Sequence, residues 1–289
     1  MTAQLLRTAE ELRSAGADGR TRAVVMTMGA LHEGHATLVR TARQHVGEDG
    51  EVVVTVFVNP LQFGPQEDLE RYPRTLEADL KVAEEAGADI VFAPSAEEVY
   101  PGGEPQVRIS AGPMGERYEG ATRPGHFDGM LTVVAKILHL TRPSAAFFGQ
   151  KDAQQLVLIR RMAADLNFPV EIVAVPTVRE ADGVALSSRN RYLSDVERVS
   201  ARELSRALVT GREAAHRGPR AALRAARAIL DAAAAMEPPV ALDYLALIDP
   251  TDFTDAAPGH TGPAVLAVAA KVGPTRLIDN VPLDFGGVQ

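Results

Sequence analysis

Two histidines and two glycines stand close together in the stretch TMGALHEGH, where His32 and His35 are three residues apart. The stretch follows an apolar run and precedes an amphipathic one, so we predict that it joins a strand to a helix. Free backbone N–H groups at the start of a helix form an anion site. Gly29 can provide a tight turn, and Gly34 leaves the first amides open to close approach. Both imidazoles then project from one helix face, and the pattern indicates a phosphate site.

The stretch TMGALHEGH differs from the known zinc-binding and nucleotide-binding motifs that it partly resembles. Metalloproteases of the H-E-x-x-H type place their histidines four residues apart, but that position holds Ala36 here. The turn matches neither G-x-G-x-x-G nor the Walker pattern G-x-x-x-x-G-K-[ST]. The chain has no cysteine, which excludes thiolate metal sites and a cysteine nucleophile. A phosphate site of the H-x-G-H type remains.

A second polar turn, in FFGQKDAQQLVLI, follows a later apolar run. Gly149 is predicted to make the turn, Lys151 to supply a positive charge and Asp152 to cap the next helix. Gln155 lies one helical turn beyond Lys151. Alternatively, Lys151 is an ordinary solvated lysine and Gln155 a helix-surface residue. Their position after a strand favours a functional role.

The stretch VALSSRNRYLS offers two hydroxyls, from Ser187 and Ser188, beside the guanidinium of Arg189. Short hydroxyl donors and a guanidinium fork suit phosphate oxygens. In VFVNPLQFG, Asn59 and Gln62 are neutral polar groups that can orient a small hydroxylated or carboxylated substrate. Taken alone, either stretch could be an ordinary loop.

The stretch EGATRPGHFDG contains Glu119, Arg123 and His126 among glycines and a proline. Glycine and proline mark turns and loops, so we predict a mobile loop, without a role that the sequence defines.

Short apolar runs alternate with amphipathic segments from residue 22 onward. Runs such as VVVTVFV are continuously apolar, as in parallel sheets that helices cover on both faces. We predict an α/β fold with a doubly wound, Rossmann-like parallel sheet over residues 1–177. Two Ala/Arg-rich helices and a few mainly antiparallel strands then predict a smaller α+β domain over residues 178–289. The opening stretch, MTAQLLRTAEELRSAGA, is predicted to be a first helix and no signal peptide.

Composition limits the partners. No apolar stretch approaches the roughly 20 residues that span a bilayer, so we expect no membrane partner. The formal net charge of −8 argues against sequence-independent binding of nucleic acid. The absence of cysteine makes a cytoplasmic location the default expectation.

Several long motifs occur in order along the chain: TMGALHEGH, FVNPLQF, YPRT, EGATRPGHFDG, FFGQKDAQQLVLI, VPTVREADGVALSSRNRYLS and LIDN. With them the chain closely resembles the pantothenate synthetase family, the pantoate:β-alanine ligases, within the H-x-G-H nucleotidyltransferase superfamily. The resemblance implies two steps. ATP and (R)-pantoate give pantoyl adenylate and pyrophosphate, and the amine of β-alanine then displaces AMP to form pantothenate.

The resemblance also implies the residues of the site. His35 is the family's proton donor, and His32 and Lys151 stabilise charge on the phosphates. Gln62 and Gln155 hold pantoate, with Asn59 near them. The implied ATP-binding residues are Met28, Gly29, Ala30, Leu31, His32, Glu33, Gly34, His35, Gly149, Gln150, Lys151, Asp152, Val178, Leu186, Ser187, Ser188 and Arg189.

Magnesium is implied as the counter-ion of ATP. Asp79 is the nearest candidate for a protein ligand, and Ala78 stands where some members carry an acid. Met26 replaces the proline usual before TMG, which removes a fixed φ, but we predict that the strand end still presents the turn. The family also implies a homodimer.

Two other functions stay open at this point. One is an adenylyltransferase of the same superfamily that acts on another small acid or a phosphorylated cofactor precursor. A phosphorylated acceptor would need extra positive side chains, whereas Gln62 and Gln155 are neutral. The other is a nucleotide-binding sensor that uses the same fold without turnover.

Overall fold

The computed structural model describes residues 2–15, 19–64 and 69–286. The chain separates into two compact units. The first consists of the residues up to Gly149 together with Gln154–Pro176, and the second of Gln150–Ala153 together with the residues from Thr177 onward. None of the helices in the described ranges is long and apolar enough to cross a membrane.

The first unit is built on a six-stranded parallel sheet with the strand order β1-β4-β3-β2-β5-β6. Its strands are β1 (Gln4–Leu6), β2 (Arg22–Thr27), β3 (Glu51–Val56), β4 (Ile90–Phe92), β5 (Ala145–Gly149) and β6 (Glu171–Val175). Its helices are α1 (Ala9–Ala15), α2 (Glu33–Val46), α3 (Leu76–Glu85), α4 (Ala96–Val99), α5 (Glu119–Thr122), α6 (His126–Thr141) and α7 (Ala153–Asp165). Short 3₁₀ helices occupy Pro60–Gln62, Leu69–Arg71 and Gly112–Glu116.

Both faces of this sheet are buried. Val24 and Val53 belong to the hydrophobic cluster that includes α6, whereas their neighbours Val25 and Val54 belong to the cluster that includes α2. Successive strand residues point to opposite faces, so each face needs its own layer of helices. The doubly wound fold predicted from the continuously apolar runs is confirmed.

The strand order reverses at β2, because β3 and β4 continue to one side and β5 and β6 to the other. Ligands of doubly wound sheets bind outside the carboxyl ends of the strands at this switch point. The two polar turns singled out above begin directly after β2 and β5. Met26 lies within β2 opposite Thr55, and the strand continues to Thr27, so the loss of proline does not interrupt it.

The second unit contains a four-stranded antiparallel sheet with the order β10-β9-β7-β8, which confirms the smaller α+β region. Its helices are α8 (Asp195–Glu213) and α9 (Pro219–Ala233), with 3₁₀ helices at Ser188–Tyr192 and Ala215–Arg217. Its strands are β7 (Val240–Asp249), β8 (Thr254–Asp255), β9 (Gly262–Val272) and β10 (Thr275–Phe285). One cluster of buried apolar side chains from α8, α9 and the strands forms its core.

Two local predictions are wrong. The opening stretch is not one helix: Gln4–Leu6 forms β1, which pairs in parallel with β4, and only Ala9–Ala15 is helical. Residues 1, 16 and 17 of that stretch lie outside the described residues. The stretch EGATRPGHFDG is not a loop, because it forms α5 and the first turn of α6.

Candidate active site

The turn after β2 has a left-handed backbone at two consecutive residues. Gly29 has a φ of 87° and Ala30 a φ of 52°. The Gly29 N–H donates to the Oγ1 atom of Thr27 at 3.1 Å. Glycine adopts such angles freely, as predicted for Gly29, but for alanine they are unfavourable, so other contacts must hold Ala30.

The carboxylate of Asp79, in α3, provides those contacts. Oδ2 accepts from Ala30 N–H at 3.1 Å, and Oδ1 accepts from Leu31 N–H at 2.8 Å and from the Thr75 hydroxyl at 3.2 Å. The Asp79 side chain is almost fully buried. A β-carbon at Gly29 would lie 3.0 Å from Oδ2, so the glycine also makes room for this carboxylate. Asp79 therefore fixes the left-handed turn.

His32 and His35 cap the N-terminus of α2. His32 is the N-cap residue, and its Nδ1 accepts from Gly34 N–H at 3.1 Å. The Nδ1 of His35 accepts from His32 N–H at 3.3 Å, which completes a capping box. The ring centroids are 4.1 Å apart. Because Nδ1 of each ring accepts, the proton of each neutral ring is on Nε2, and both rings are hydrogen-bond donors at that atom.

Asn59 and Gln62 lie at the two ends of the 3₁₀ segment that follows β3. The Nδ2 atom of Asn59 donates to Gln62 Oε1 at 2.9 Å and to the Gly129 carbonyl at 3.1 Å. The Oδ1 atom of Asn59 accepts from Leu61 N–H at 3.3 Å and from the Tyr100 hydroxyl at 2.8 Å. Tyr100 stands in none of the sequence motifs and follows a short helix, so no local signal points to this contact.

The main-chain carbonyl of Gln62 contacts two further polar side chains. Nδ1 of His126 lies 2.9 Å from this oxygen and Nη2 of Arg123 donates to it at 3.4 Å. Nη1 of Arg123 lies 3.1 Å from His126 Nε2. A carbonyl only accepts, so Nδ1 of His126 carries a proton, and in the neutral ring Nε2 accepts from Arg123. These residues anchor the segment that holds Gln62.

Gly129 allows α6 to approach this segment closely. A β-carbon at Gly129 would lie 2.0 Å from the Leu61 carbonyl oxygen. Gly129→Ala is therefore expected to displace Pro60–Gln62 and to lower the free energy of unfolding by about 1–3 kcal/mol, as overpacking does. Chemical denaturation measures the change.

Gly259→Ala is the control, because a β-carbon there meets no atom within 4 Å and φ is not positive. Equal stability of the two variants would contradict the assigned contact.

Lys151 belongs to the second unit together with β10. Its Nζ lies 3.2 Å from Asp152 Oδ1, and its side chain is 18% exposed. The Nδ2 atom of Asn280 donates to the carbonyls of Gln150 at 3.0 Å and Lys151 at 2.7 Å. Gly149 is the last residue of β5 and has no positive φ, so it does not make the turn as predicted. The turn begins at Gln150.

The residues predicted between 178 and 189 form a compact hairpin and 3₁₀ turn in the second unit. Leu186 N–H donates to the Val178 carbonyl at 2.9 Å. Ser187 Oγ caps the 3₁₀ helix Ser188–Tyr192 by accepting from Arg189 N–H at 3.3 Å. Arg189 is exposed. The stretch forms a turn and the start of a 3₁₀ helix, and its phosphate-binding role stays a prediction.

Ion pairs fix this hairpin to its surroundings. Arg179 forms two hydrogen bonds with the carboxylate of Asp279, whose pKa is raised by burial and lowered less by Arg179. Arg198 donates to Asp182 at 2.7 Å, and this contact lowers the pKa of Asp182.

The structure thus brings His32 and His35 together in the first unit, and Asn59 with Gln62. Gln155 lies on α7 and is partly buried. In the second unit, Lys151 lies beside Asp152, and Asn280 holds the backbone at Gln150 and Lys151.

Comparison with known proteins identifies the family. The sequence matches the model of the pantoate-beta-alanine ligase family over residues 2–282. The chain belongs to this family. The pantothenate synthetase of Streptomyces avermitilis is 62% identical, with 100% of each chain covered. That of Streptomyces coelicolor is 63% identical, over 98% of this chain and 96% of the relative.

Solved structures of pantoate-beta-alanine ligases share the fold. A pantothenate synthetase from Thermus thermophilus superposes with a TM-score of 0.87 at 48% identity, over 96% of this chain and 98% of that chain. A pantoate-beta-alanine ligase from Francisella tularensis, complexed with β-γ ATP and β-alanine, gives a TM-score of 0.76 at 29% identity, over 96% and 97%.

Proposed function

We propose that this protein condenses (R)-pantoate with β-alanine to pantothenate, through a pantoyl-adenylate intermediate, with release of AMP and pyrophosphate. The observation that carries the proposal is the pair of imidazoles on the N-terminus of α2, in a chain that matches the ligase family almost end to end. The N–H groups of His32 and Gly34 already donate within the cap, so the donors that the two rings offer to phosphate are at Nε2, beside the positive end of the helix dipole.

The chemistry suits these groups. A carboxylate is a poor acylating agent, because its oxygen is a poor leaving group. Adenylation makes that oxygen part of AMP, which is a good leaving group. The pantoate carboxylate attacks the α-phosphorus of ATP, and pyrophosphate leaves. Such a displacement needs positioning and stabilisation of phosphate charge rather than a covalent nucleophile. His32 and His35 donate hydrogen bonds from Nε2 to the phosphates, and the Nε2 hydrogen of His35 is given toward the bridging oxygen of the departing pyrophosphate, where negative charge builds.

From the family resemblance, Lys151, Val178 and Leu186–Arg189 of the second unit are also proposed to bind the nucleotide. The ammonium of Lys151 neutralises charge on the transferring phosphate. Ser187 and Ser188 add hydroxyl donors, and Arg189 adds a guanidinium on an exposed turn. Gln62 and Gln155 hold pantoate, with Asn59 behind Gln62.

Magnesium enters this proposal as the counter-ion of ATP. No group of three His, Cys, Asp or Glu side chains among the described residues could hold a metal ion by itself, and magnesium bound with ATP phosphates needs only one or two protein carboxylates. Both oxygens of Asp79 accept hydrogen bonds within the turn. The ligand role of Asp79 stays a prediction, and no step of the mechanism uses it.

Asp79→Asn tests what this carboxylate does. The amide can accept only one of the two backbone hydrogen bonds, and an unsatisfied buried donor costs about 1–3 kcal/mol. We expect faster amide hydrogen exchange at Ala30 and Leu31 and a higher KM for ATP at saturating magnesium. A changed magnesium requirement with unchanged hydrogen exchange would instead indicate a metal ligand.

Asp89→Asn is the matched control for this substitution. Asp89 also accepts a backbone hydrogen bond, from Val52 N–H at 2.7 Å, and pairs with Arg43. It lies outside the turn, so the variant is expected to lose stability while the KM for ATP is unchanged. If both variants raise this KM equally, the effect of Asp79→Asn is not specific to the turn.

One assay tests the function as a whole. The protein is incubated with ATP, magnesium and labelled pyrophosphate, with and without pantoate, and then with β-alanine. We expect pantoate-dependent exchange of label into ATP, and pantothenate with AMP once β-alanine is added. Exchange with a phosphorylated acid only would indicate another adenylyltransferase. ATP binding without exchange would indicate a sensor, and release of ADP would exclude the adenylate mechanism.

We also propose a cytoplasmic homodimer, on the family resemblance alone. Sedimentation velocity of the purified chain distinguishes the dimer from a monomer.

A further inference from the structure

We infer that Tyr100 is a positioning residue that fixes the orientation of the Gln62 amide, so that Gln62 presents only N–H donors to the acid substrate. The inference rests on the proposed function, in which Gln62 holds pantoate. It adds Tyr100, a residue outside the sequence motifs, to the proposed pantoate site. It also gives a physical reason why this position prefers a substrate group that accepts hydrogen bonds.

The phenol reinforces an orientation of the Asn59 amide that the backbone also favours. The Tyr100 hydroxyl donates to Asn59 Oδ1 at 2.8 Å. An amide has one carbonyl oxygen and one NH2 group, so Nδ2 of Asn59 must face the other way. There it donates to Gln62 Oε1 at 2.9 Å and to the Gly129 carbonyl at 3.1 Å. Each amide therefore determines the orientation of the next.

Gln62 stands at the end of this chain of hydrogen bonds. Its side-chain carbonyl accepts from Asn59, and its main-chain carbonyl is contacted by His126 and Arg123. Nε2 is then the remaining polar atom of its side chain, and it can only donate. Its natural partners are acceptors, such as the oxygens of a carboxylate or hydroxyl. A substrate group that only donates, such as an ammonium, is disfavoured at this position.

Tyr100 is suited to be a permanent donor. Burial raises the pKa of its phenol well above the ordinary value, although the charge of Arg108 opposes this shift. The centroid of the Tyr100 ring lies 6.1 Å from the ring centroid of Phe57. Nζ of Lys136 lies 5.7 Å from the centroid of the Tyr100 ring. The hydroxyl thus keeps its proton and can donate to Asn59 Oδ1, while the Leu61 N–H, which only donates, and the Gly129 carbonyl, which only accepts, keep the amide from reversing.

The backbone alone holds Asn59 less firmly. Without the hydroxyl, Asn59 Oδ1 keeps only the longer contact with Leu61 N–H, at 3.3 Å. The Gly129 carbonyl still favours the present orientation, so removal of the phenol should loosen rather than invert the amide. We therefore expect a moderate rise in the KM for pantoate when the Tyr100 hydroxyl is removed, and a larger rise when Asn59 is replaced.

Tyr100→Phe is the first test, because it keeps the ring and removes only the hydroxyl. In the exchange assay we expect the KM for pantoate to rise about tenfold, which corresponds to the loss of one buried hydrogen bond. The KM for ATP and kcat should stay near the wild-type values, a split that a general loss of stability does not produce. Equal changes in both KM values, or none, would overturn the inference.

Two further variants sharpen this test. Asn59→Asp still accepts from Tyr100 but cannot donate to Gln62 Oε1, so the Gln62 amide is expected to turn and the KM for pantoate to rise beyond that of Tyr100→Phe. Tyr244→Phe, which removes a phenol hydroxyl from β7 in the second unit, should leave both KM values unchanged. An Asn59→Asp variant with the wild-type KM for pantoate contradicts the proposed relay.

Side-chain amide NMR separates this inference from the proposed function. Tyr100→Phe should shift the NH2 resonances of Asn59 and Gln62 whether or not the protein turns over pantoate. If the NH2 resonances shift but the wild-type protein shows no pantoate-dependent exchange, the proposed function is contradicted and the amide orientation is still supported. Unshifted resonances in an active enzyme would overturn the inference alone.

Discussion

Replacing His35 with asparagine is expected to lower the rate of pantoate-dependent pyrophosphate exchange by about 10²–10⁴-fold, the range for loss of a general acid. Asparagine Oδ1 replaces Nδ1 and can still accept from His32 N–H, the contact that completes the cap of α2. What asparagine lacks is the donor at the position of Nε2. The variant therefore removes the chemical role of His35 and keeps its structural one.

His35→Gln is the complementary variant. Its amide reaches the position of Nε2 and can donate there, but it offers no acceptor at Nδ1 for the cap. A lost cap costs about 0.5–2 kcal/mol, so this variant should be less stable than His35→Asn. His35→Gln should also bind ATP more tightly than His35→Asn does, because it keeps a donor at the position of Nε2. Exchange rates and thermal unfolding of both variants separate the two roles, and near-normal exchange in His35→Asn refutes the assigned proton donation.

The sheet and the strand-to-helix turn in TMGALHEGH could be predicted because their signals are local. Continuously apolar runs such as Val52–Val54 require cover on both faces, and the structure provides it. The spacing of His32 and His35 places one ring at the N-cap and the other in the first turn of α2. In such stretches the pattern within a few residues determines the structure.

Features that depend on distant residues could not be predicted. Gln4–Leu6 is a strand only because β4 pairs with it, and its own sequence favours a helix equally well. The left-handed Ala30 depends on Asp79, 49 residues later in the chain. Glycine and proline favour loops at Gly149 and around His126, whereas Gly149 ends β5 and α6 needs Gly129 for its close approach to Leu61. Tertiary contacts override local propensity in each case.

Asn280 makes a long-range contact with the backbone of Lys151, which is 129 residues away in the chain. It holds the loop that carries Lys151 to β10 within the second unit. Lys151→Met keeps the length and the apolar part of the side chain but removes its charge. We expect kcat of the exchange to fall by about 10²–10³-fold, as on removal of one group that stabilises transition-state charge. The KM for ATP should change little, because the interaction strengthens as charge develops.

Lys271→Met makes the same chemical change at an exposed position of β9 in the same unit, and it should leave exchange unaffected. Asn280→Leu keeps the charge of Lys151 but removes the donor to the Gln150 and Lys151 carbonyls. If orientation of the loop matters, this variant lowers kcat as well, by less than Lys151→Met. A rise in the KM for ATP at constant kcat in Lys151→Met would show that the ammonium binds the nucleotide equally in the ground and transition states, and would contradict its catalytic role.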